Sequence, residues 1–273
     1  MRGAGCRMTE KGMTKLAGAH RTLDSYRALP ARTPAPLVLV VHEIFGLAPH
    51  IREVCDRFAA EGFVAVGPDL FTGELAAVMT PENIQKGRAF LQSLTPEDFR
   101  DPARVARRLE DQPPASRPAA QALFHVLQPE TRRGFALDLA AAMTELRKDP
   151  AVDPGRTGAV GFCMGGTLVG LLATLDPKLT AGVIFYGESP PEADLPKVQA
   201  RLLGLYGGED HRITDGVPAF AQRMAALGKP FEYHVYPGAQ HAFFNDTRAP
   251  TYHAEAARDA WPRTLQFLRS AFH

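Results

Sequence analysis

One short stretch, residues 161–166, constrains the fold of this chain more than any other. Its sequence, Gly-Phe-Cys-Met-Gly-Gly, closes an apolar run that begins at Gly158. The form G-x-C-x-G is that of a nucleophile elbow, with cysteine where serine is more usual. The glycines leave room for a sharp strand-to-helix turn in which the nucleophile has strained backbone angles. The stretch therefore predicts a strand, then Cys163 above the sheet, then a helix from Met164 to about Thr174; an ordinary buried turn is the alternative.

Apolar runs of strand length alternate with amphipathic segments before this elbow. Residues 37–41 are a continuous run of Leu and Val, as expected of a strand buried on both faces of a parallel sheet. Residues 49–61 have apolar side chains at helical spacing, and residues 63–67 form the next predicted strand. This order indicates a right-handed parallel crossover and hence an α/β fold with a mostly parallel central sheet flanked by helices. Further predicted strands are 22–29, 156–161, 181–186, 201–206 and 231–236.

The chain length and the segment boundaries predict one domain. A chain of 273 residues with 45% hydrophobic residues can bury one sizeable core. We expect that domain to span residues 22–273, and residues 1–21, which lack the apolar region of a signal peptide, to form a flexible N-terminal arm. Residues from about 72 to 133 predict a helical insertion, longer than a simple crossover needs. The insertion either covers a site or is a solvated decoration.

Composition and spacing exclude several classes of partner and cofactor. The formal net charge of +1 gives no reason to expect nucleic acid or an acidic membrane as partner. Cys6, Cys55 and Cys163 have no disulfide or C-x-x-C spacing, which fits a cytoplasmic location. Cys55 lies on the apolar stripe of a predicted helix and is interpreted as a core thiol. His42 and Glu43 do not begin H-E-x-x-H, so no metal is expected, and the absence of G-x-G-x-x-G argues against a dinucleotide.

Three residues of complementary chemistry follow predicted strands at the sheet edge where α/β proteins bind ligands. Cys163 follows the elbow strand, Asp210 follows residues 201–206, and His241 follows residues 231–236. Nucleophile, acid and base thus occur in the chain order of α/β-hydrolases. Because a free thiol is only a few per cent ionised at neutral pH, it needs a base, and we assign this role to His241. Asp210 would then fix the tautomer of the imidazole.

An attack by this thiol on a carbonyl group would create an oxyanion, which requires preorganised donors. In an α/β-hydrolase these are the backbone amide after the nucleophile, here Met164, and one in the loop after an early strand, for which Ile44 is the candidate. His42, in the same loop, is interpreted as a structural histidine.

Alternatives for the acid and the base remain open at this stage. Asp210 could instead cap a helix, in which case Glu209 would be the acid. His241 could be a hydrogen-bonded loop histidine with no part in chemistry.

Five motifs in order strengthen the enzymatic interpretation. They are His-Glu-Ile-Phe-Gly (42–46), Pro-Asp-Leu-Phe (68–71), Gly-Phe-Cys-Met-Gly-Gly (161–166), Tyr-Gly-Gly-Glu-Asp (206–210) and Tyr-Pro-Gly-Ala-Gln-His-Ala-Phe (236–243). In these motifs the chain resembles the dienelactone hydrolase family, the carboxymethylenebutenolidases, over about residues 23–272 apart from the insertion. The resemblance implies an α/β-hydrolase fold with Cys163, Asp210 and His241 as the triad.

The resemblance also implies roles for residues that spacing alone does not identify. Glu43 matches the family glutamate that contacts the resting thiol and accepts its proton when substrate binds. Members of the family bind a carboxylate-bearing lactone through arginines, one of them at the position of Asn245. Here Arg248 lies three residues further on, and Arg88, within the insertion, is the candidate for the second arginine.

We therefore expect a cytoplasmic hydrolase that opens a small ester or lactone through a Cys163 thioester, which water activated by His241 then hydrolyses. Phenylalanines near the site, Phe45 and Phe243 among them, would supply its apolar walls. No cofactor is expected, nor a nucleic-acid or membrane partner, and the protein would be a monomer or a weak homodimer. The alternatives are a general carboxylesterase or thioesterase for larger acyl groups, and a catalytically silent ligand-binding protein in which Cys163 is a redox-sensitive thiol.

Overall fold

Eight strands form the central sheet in the computed structural model, which describes residues 10–95, 97–98 and 101–273. The strands are β1 (Lys11–Ala17), β2 (Thr22–Ala28), β3 (Ala35–Val41), β4 (Val64–Pro68), β5 (Val152–Phe162), β6 (Ala181–Phe185), β7 (Arg201–Gly207) and β8 (Phe231–Tyr236). Their order across the sheet is β1-β2-β4-β3-β5-β6-β7-β8.

Helices flank this sheet. They are α1 (Pro49–Ala60), α2 (Glu74–Val78), α3 (Pro81–Ser93), α4 (Pro102–Glu110), α5 (Arg117–Val126), α6 (Pro129–Leu146), α7 (Met164–Leu175), α8 (His211–Thr214), α9 (Val217–Ala226) and α10 (Ala254–Ala271), with a short 3-10 helix at Glu192–Lys197. Within the described part of the chain, no helix is both long enough and apolar enough to cross a membrane.

The sheet is parallel from β4 to β8, as predicted. Neighbouring strands pair in parallel between β4 and β3, β3 and β5, β5 and β6, β6 and β7, and β7 and β8, whereas β1 and β2 are antiparallel. The β3 side chains from Leu37 to Val41 are fully buried because helices cover both faces of the sheet. Val41 pairs with Gly161 and Phe162 with Phe185, so the carboxyl ends of β3, β5 and β6 meet at one edge.

The first strand corrects the expectation of a flexible arm. Residues Lys11–Ala17 pair with all of β2, and β2 is therefore an internal strand. The turn between the two strands is fastened to α6, where the fully buried Asp138 accepts a hydrogen bond from the His20 backbone N–H at 2.7 Å and pairs with Arg21 Nε at 2.9 Å. Five of the seven residues of β1 are exposed and none is fully buried, so its sequence carries no strand periodicity. The rest of the predicted arm, residues 1–9, lies outside the described residues.

The predicted insertion, residues 72–133, contains α2 to α5 and the first turn of α6. Thr80 caps α3 by accepting the Asn83 N–H at 3.3 Å, with proline at the first helical position, as the sequence predicts. α3 and α5 approach closely at Gly87, where a Cβ would lie 2.8 Å from the Ala119 carbonyl oxygen. Ile84 on α3 also belongs to the main hydrophobic core, so the insertion packs against the rest of the protein.

Cys55 is a core thiol, as predicted. It is fully buried on α1, where burial raises the pKa of the thiol, and its sulfur packs close to Gly67 of β4. A buried thiol in apolar surroundings is chemically inert.

Candidate active site

Cys163 occupies a strained turn between β5 and α7. Its backbone angles are φ 56° and ψ −116°, a region that non-glycine residues rarely adopt. The neighbouring glycines are required by contact: a Cβ at Gly161 would lie 2.1 Å from the Gly165 oxygen, and a Cβ at Gly165 would lie 2.2 Å from the Val41 oxygen. The geometry is that of a nucleophile elbow, with its partly exposed sulfur at the carboxyl edge of the sheet.

His241 and Asp210 form a short hydrogen bond beside this cysteine. His241 Nδ1 lies 2.5 Å from Asp210 Oδ2, and the Cys163 sulfur is near enough to raise the pKa of the imidazole. Asp210 does stand at the N-cap position of α8, but its side chain makes no capping bond and is directed to His241. Glu209 is exposed, so the geometry favours Asp210 over Glu209 as the acid.

The surroundings of His241 stabilise its charged form. Burial by itself would lower the pKa of the imidazole, but the Cys163 sulfur and the Asp210 carboxylate outweigh burial and raise the pKa to about 10. His241 therefore favours its imidazolium form, most strongly when Cys163 is a thiolate, and this form can donate a proton to a leaving group.

Glu43 lies on the other side of the cysteine, at the end of β3. Its carboxyl group is buried, and Oε2 accepts a hydrogen bond of 2.6 Å from Asn245 Nδ2. Burial raises the pKa of Glu43, while the Asn245 hydrogen bond and the charges of Arg248 and His241 act in the opposite direction. A carboxylate with a raised pKa is a suitable acceptor for a thiol proton.

His42 is structural, as the sequence predicts. Its Nε2 accepts the Leu70 backbone N–H at 3.0 Å, so the ring proton is on Nδ1, which donates to the Glu43 carbonyl oxygen at 2.5 Å. The ring is fully buried, and burial lowers its pKa. A neutral His42 thus joins the loop after β3 to the loop after β4 and fixes the backbone of Glu43.

Two backbone N–H groups near the elbow are free to bind an oxyanion. The Cys163 N–H donates to the Phe185 carbonyl oxygen at 3.0 Å, which leaves the following amide, Met164, at the helix start. Within the residues that the structure describes, neither the Met164 nor the Ile44 N–H has a backbone acceptor. These are the two amides that the sequence predicts as donors.

A cavity of about 410 Å³ opens beside Glu43. Phe45 lies in its wall, and the guanidinium carbons of Arg88 and Arg248 lie 5.8 and 5.0 Å from the centroid of the Phe45 ring. Arg88 comes from α3 in the insertion, whereas Arg248 follows His241 in the chain. Two cations over one aromatic ring form a positively charged, partly apolar wall.

Phe243 is a correction to the predicted site. It is fully buried and packs on Tyr186 and Tyr236, with ring centroids 5.4 and 5.0 Å away, so it belongs to the core beneath the site and does not line the cavity. Ala242, at φ 64°, turns the chain between His241 and Phe243, which sends the two side chains to different environments.

Sequence reasoning missed Tyr186. It follows β6, is fully buried at φ 41°, and its ring lies edge-on to His241 at 5.1 Å between centroids. The available signal was its position directly after a buried strand and before Gly187, which parallels the positions of the other site residues. The sequence also did not predict that Asn245 binds Glu43.

Comparisons with known proteins show the family and agree with the fold. The model of the dienelactone hydrolase family matches residues 23–272. A Saccharolobus solfataricus protein named "Putative carboxymethylenebutenolidase" is 36% identical over 248 residues, which cover 90% of this chain and 93% of that protein. A protein of the same name from Escherichia coli (strain K12) is 32% identical over 271 residues, covering 94% and 86%. The crystal structure of a "Putative Dienelactone Hydrolase" from Klebsiella pneumoniae has a TM-score of 0.73 at 28% identity and covers 96% of this chain and 99% of that one.

Proposed function

Because this chain belongs to the dienelactone hydrolase family, we propose that it hydrolyses a small, carboxylate-bearing ester or lactone with Cys163 as nucleophile. One observation carries the proposal: Cys163, on its elbow, lies beside an imidazole that Asp210 holds at 2.5 Å. The triad order and the buried Glu43 next to it support the same conclusion.

In the acylation half-reaction, the Cys163 thiol gives its proton to the Glu43 carboxylate when substrate binds. The thiolate attacks the substrate carbonyl carbon, and the N–H groups of Ile44 and Met164 stabilise the oxyanion. The carbon–oxygen bond then breaks, and the leaving oxygen takes a proton from the His241 imidazolium. The products are a thioester on Cys163 and a hydroxyl group, which stays attached to the acyl part when the substrate is a lactone.

Deacylation restores each of the three groups to its starting protonation state. The neutral His241 removes a proton from water, whose oxygen attacks the thioester carbon. The carbon–sulfur bond breaks, the carboxylic acid leaves, and the sulfur recovers the proton from Glu43. The net reaction is ester plus water to acid plus hydroxyl compound, with thiol, carboxylate and imidazolium regenerated.

Arg88 and Arg248 are the groups that we propose for binding a substrate carboxylate. Both line the cavity beside Glu43, and together with Phe45 they offer charge and an apolar surface. Arginine binds carboxylates through paired hydrogen bonds, so the two side chains favour an anionic substrate. The cavity of about 410 Å³ is lined by Glu43, Arg88 and Arg248 but not by Cys163 or His241, so it would hold the carboxylate-bearing part of the substrate.

Steady-state hydrolysis tests this proposal. A dienelactone and a neutral ester of similar size would be given to the wild-type protein, to Cys163→Ala and to Cys55→Ala, whose buried thiol is a matched control. We expect turnover in the wild type and in Cys55→Ala and its loss in Cys163→Ala. Equal turnover in Cys163→Ala would contradict the covalent mechanism, and a wild type inactive on every small ester and lactone would favour the ligand-binding alternative.

A further inference from the structure

Tyr186 is held in an unfavourable backbone conformation next to the site. Its φ of 41° is uncommon for an aromatic residue, and its backbone N–H donates to the Leu205 oxygen at 2.9 Å. The next residue, Gly187, packs so tightly on the start of α7 that a Cβ there would lie 2.4 Å from the Thr167 nitrogen. Such strain persists where the surroundings fix it, and it is concentrated at functional sites.

Two buried polar atoms beside the cysteine lack hydrogen-bond partners among the residues that the structure describes. They are Oε1 of Glu43 and the hydroxyl oxygen of Tyr186. The two groups are neighbours at the carboxyl edge of the sheet. Val41 of β3 and Ile184 of β6 both pair with Gly161 of β5, so Glu43 and Tyr186 each follow by two residues on either side of Cys163. Each also contributes to the pKa shift of the other. A buried polar group without a partner is costly, so two such groups side by side are expected to pair.

We propose that Tyr186 is a positioning residue whose phenolic O–H donates a hydrogen bond to Oε1 of Glu43 and keeps this carboxylate ionised beside the Cys163 thiol. Asn245 already binds the other oxygen, so the two donors together would fix the plane of the carboxyl group. The inference rests on the proposed function, in which Glu43 must be ionised to accept the proton of the thiol, and it deepens the role of that residue.

The other charged and titratable groups around Glu43 do not replace this donor. Burial raises the pKa of Glu43, and Asn245, Arg248, His241 and Tyr186 all lower it, Asn245 through a hydrogen bond. Arg88 adds a further positive charge, and His42 is neutral. Arg248 and His241 lower the pKa of Glu43 through their charge, without a hydrogen bond to it. The orientation of the carboxylate therefore depends on the uncharged donors, Asn245 and Tyr186. The groups that face Glu43 are Arg88, Arg248, His241, Tyr186, Cys163 and His42.

Removal of the hydroxyl in Tyr186→Phe should therefore raise the pKa of Glu43. A hydrogen bond to a charged group corresponds to about one pH unit or more in the titration midpoint. Since Glu43 must be ionised for acylation, the acidic limb of the pH–rate profile should move upward by about the same amount. The rate on the plateau above that limb should change little.

Infrared titration of the carboxyl group measures this without any substrate. The band of protonated Glu43 is identified by its loss in Glu43→Gln, and its midpoint is compared between the wild type and Tyr186→Phe. Tyr206→Phe is the matched control, because Tyr206 is also fully buried with an unpartnered hydroxyl, and burial is the one cause of its raised pKa. We expect a higher midpoint in Tyr186→Phe and the wild-type midpoint in Tyr206→Phe.

The pH dependence of acylation by an activated ester completes the test. A shift of the acidic limb in Tyr186→Phe, absent in Tyr206→Phe, supports the positioning role. An unchanged Glu43 midpoint, or a rate lowered by one factor at every pH, would overturn it. Failure of the wild type to acylate would contradict the proposed function, but the infrared comparison would still decide whether Tyr186 binds Glu43.

Discussion

Asp210 is hydrogen-bonded to His241 and would act on Cys163 through this imidazole. The effect of its charge can therefore be tested by substitution of this one residue. In Asp210→Asn the neutral amide cannot stabilise the imidazolium and can hold the wrong tautomer. We expect kcat to fall by roughly 10⁴, as in other triads, with the protein still folded. Glu209→Gln, at the exposed neighbour, should retain wild-type kcat. The reverse result, with Glu209→Gln inactive and Asp210→Asn active, would transfer the role of the acid to Glu209.

The titration of His241 is a second test at the residue scale. Against the effect of burial, Cys163 and then Asp210 raise the pKa from 6.5 to about 10. Because this pKa is raised on folding, the interaction stabilises the protein fully below pH 6.5, and the stabilisation is lost as the pH rises through about 10. NMR of the imidazole should show this high midpoint in the wild type and a lower midpoint in Cys163→Ala. A wild-type midpoint near the ordinary value would contradict the arrangement.

Residues that belong to a motif could be predicted, and residues that act through packing could not. Cys163, Asp210 and His241 each follow a strand within a recognisable local pattern, so their approach in space follows from the sheet. Phe243 lies in such a pattern too, but the turn at Ala242 directs its ring into the core. Tyr186 has no motif of its own, and its importance depends on the carboxyl group of a residue more than 100 positions away in sequence.

At the scale of elements, α3 places Arg88 of the insertion in the wall of the cavity, where it would bind a substrate carboxylate. In Arg88→Gln we expect KM for a carboxylate-bearing substrate to rise by about 10-fold or more, as for loss of a hydrogen bond to a charged group. The KM for a neutral ester of the same size should be unchanged. Steady-state kinetics on both substrates measures the difference.

Lys86→Gln is the control for this helix. Lys86 is on α3 as well, but it pairs with Glu82 on the surface, so neither KM should change. An equal rise of KM for the anionic and the neutral substrate in Arg88→Gln would contradict a role in carboxylate binding.

Elements with strong periodicity or caps were predictable, and β1 was not. The apolar runs of β3 to β7 and the Thr-Pro start of α3 are local signals that agree with the final structure. β1 is stabilised instead by non-local contacts, namely its pairing with β2 and the attachment of the following turn to Asp138 on α6. A single strand whose side chains are mostly exposed carries no sequence signal of such partners.

For the whole molecule, the buried carboxylate of Asp138 connects the β1–β2 hairpin to the helical layer. Asp138→Ala removes the acceptor for His20 and Arg21, and we expect the free energy of unfolding to fall by about 2–4 kcal/mol. Denaturant unfolding measures this change. Asp24→Asn, which breaks an exposed pair with Lys15 on the same hairpin, should alter stability by less than about 1 kcal/mol. Equal effects of the two substitutions would contradict the anchoring role.

At the scale of the whole molecule, four strand ends bring Cys163 together with Asp210, His241 and Glu43, and we propose that Cys163 is the nucleophile of this site. The most direct test is intact-protein mass after brief mixing with a small activated ester, in the wild type and in Cys163→Ala. We predict a transient gain of one acyl group, located on Cys163 by peptide mapping, that is absent in the variant together with hydrolysis of the ester. Hydrolysis by Cys163→Ala at the wild-type rate, with no adduct on Cys163 in the wild type, would contradict covalent catalysis by Cys163.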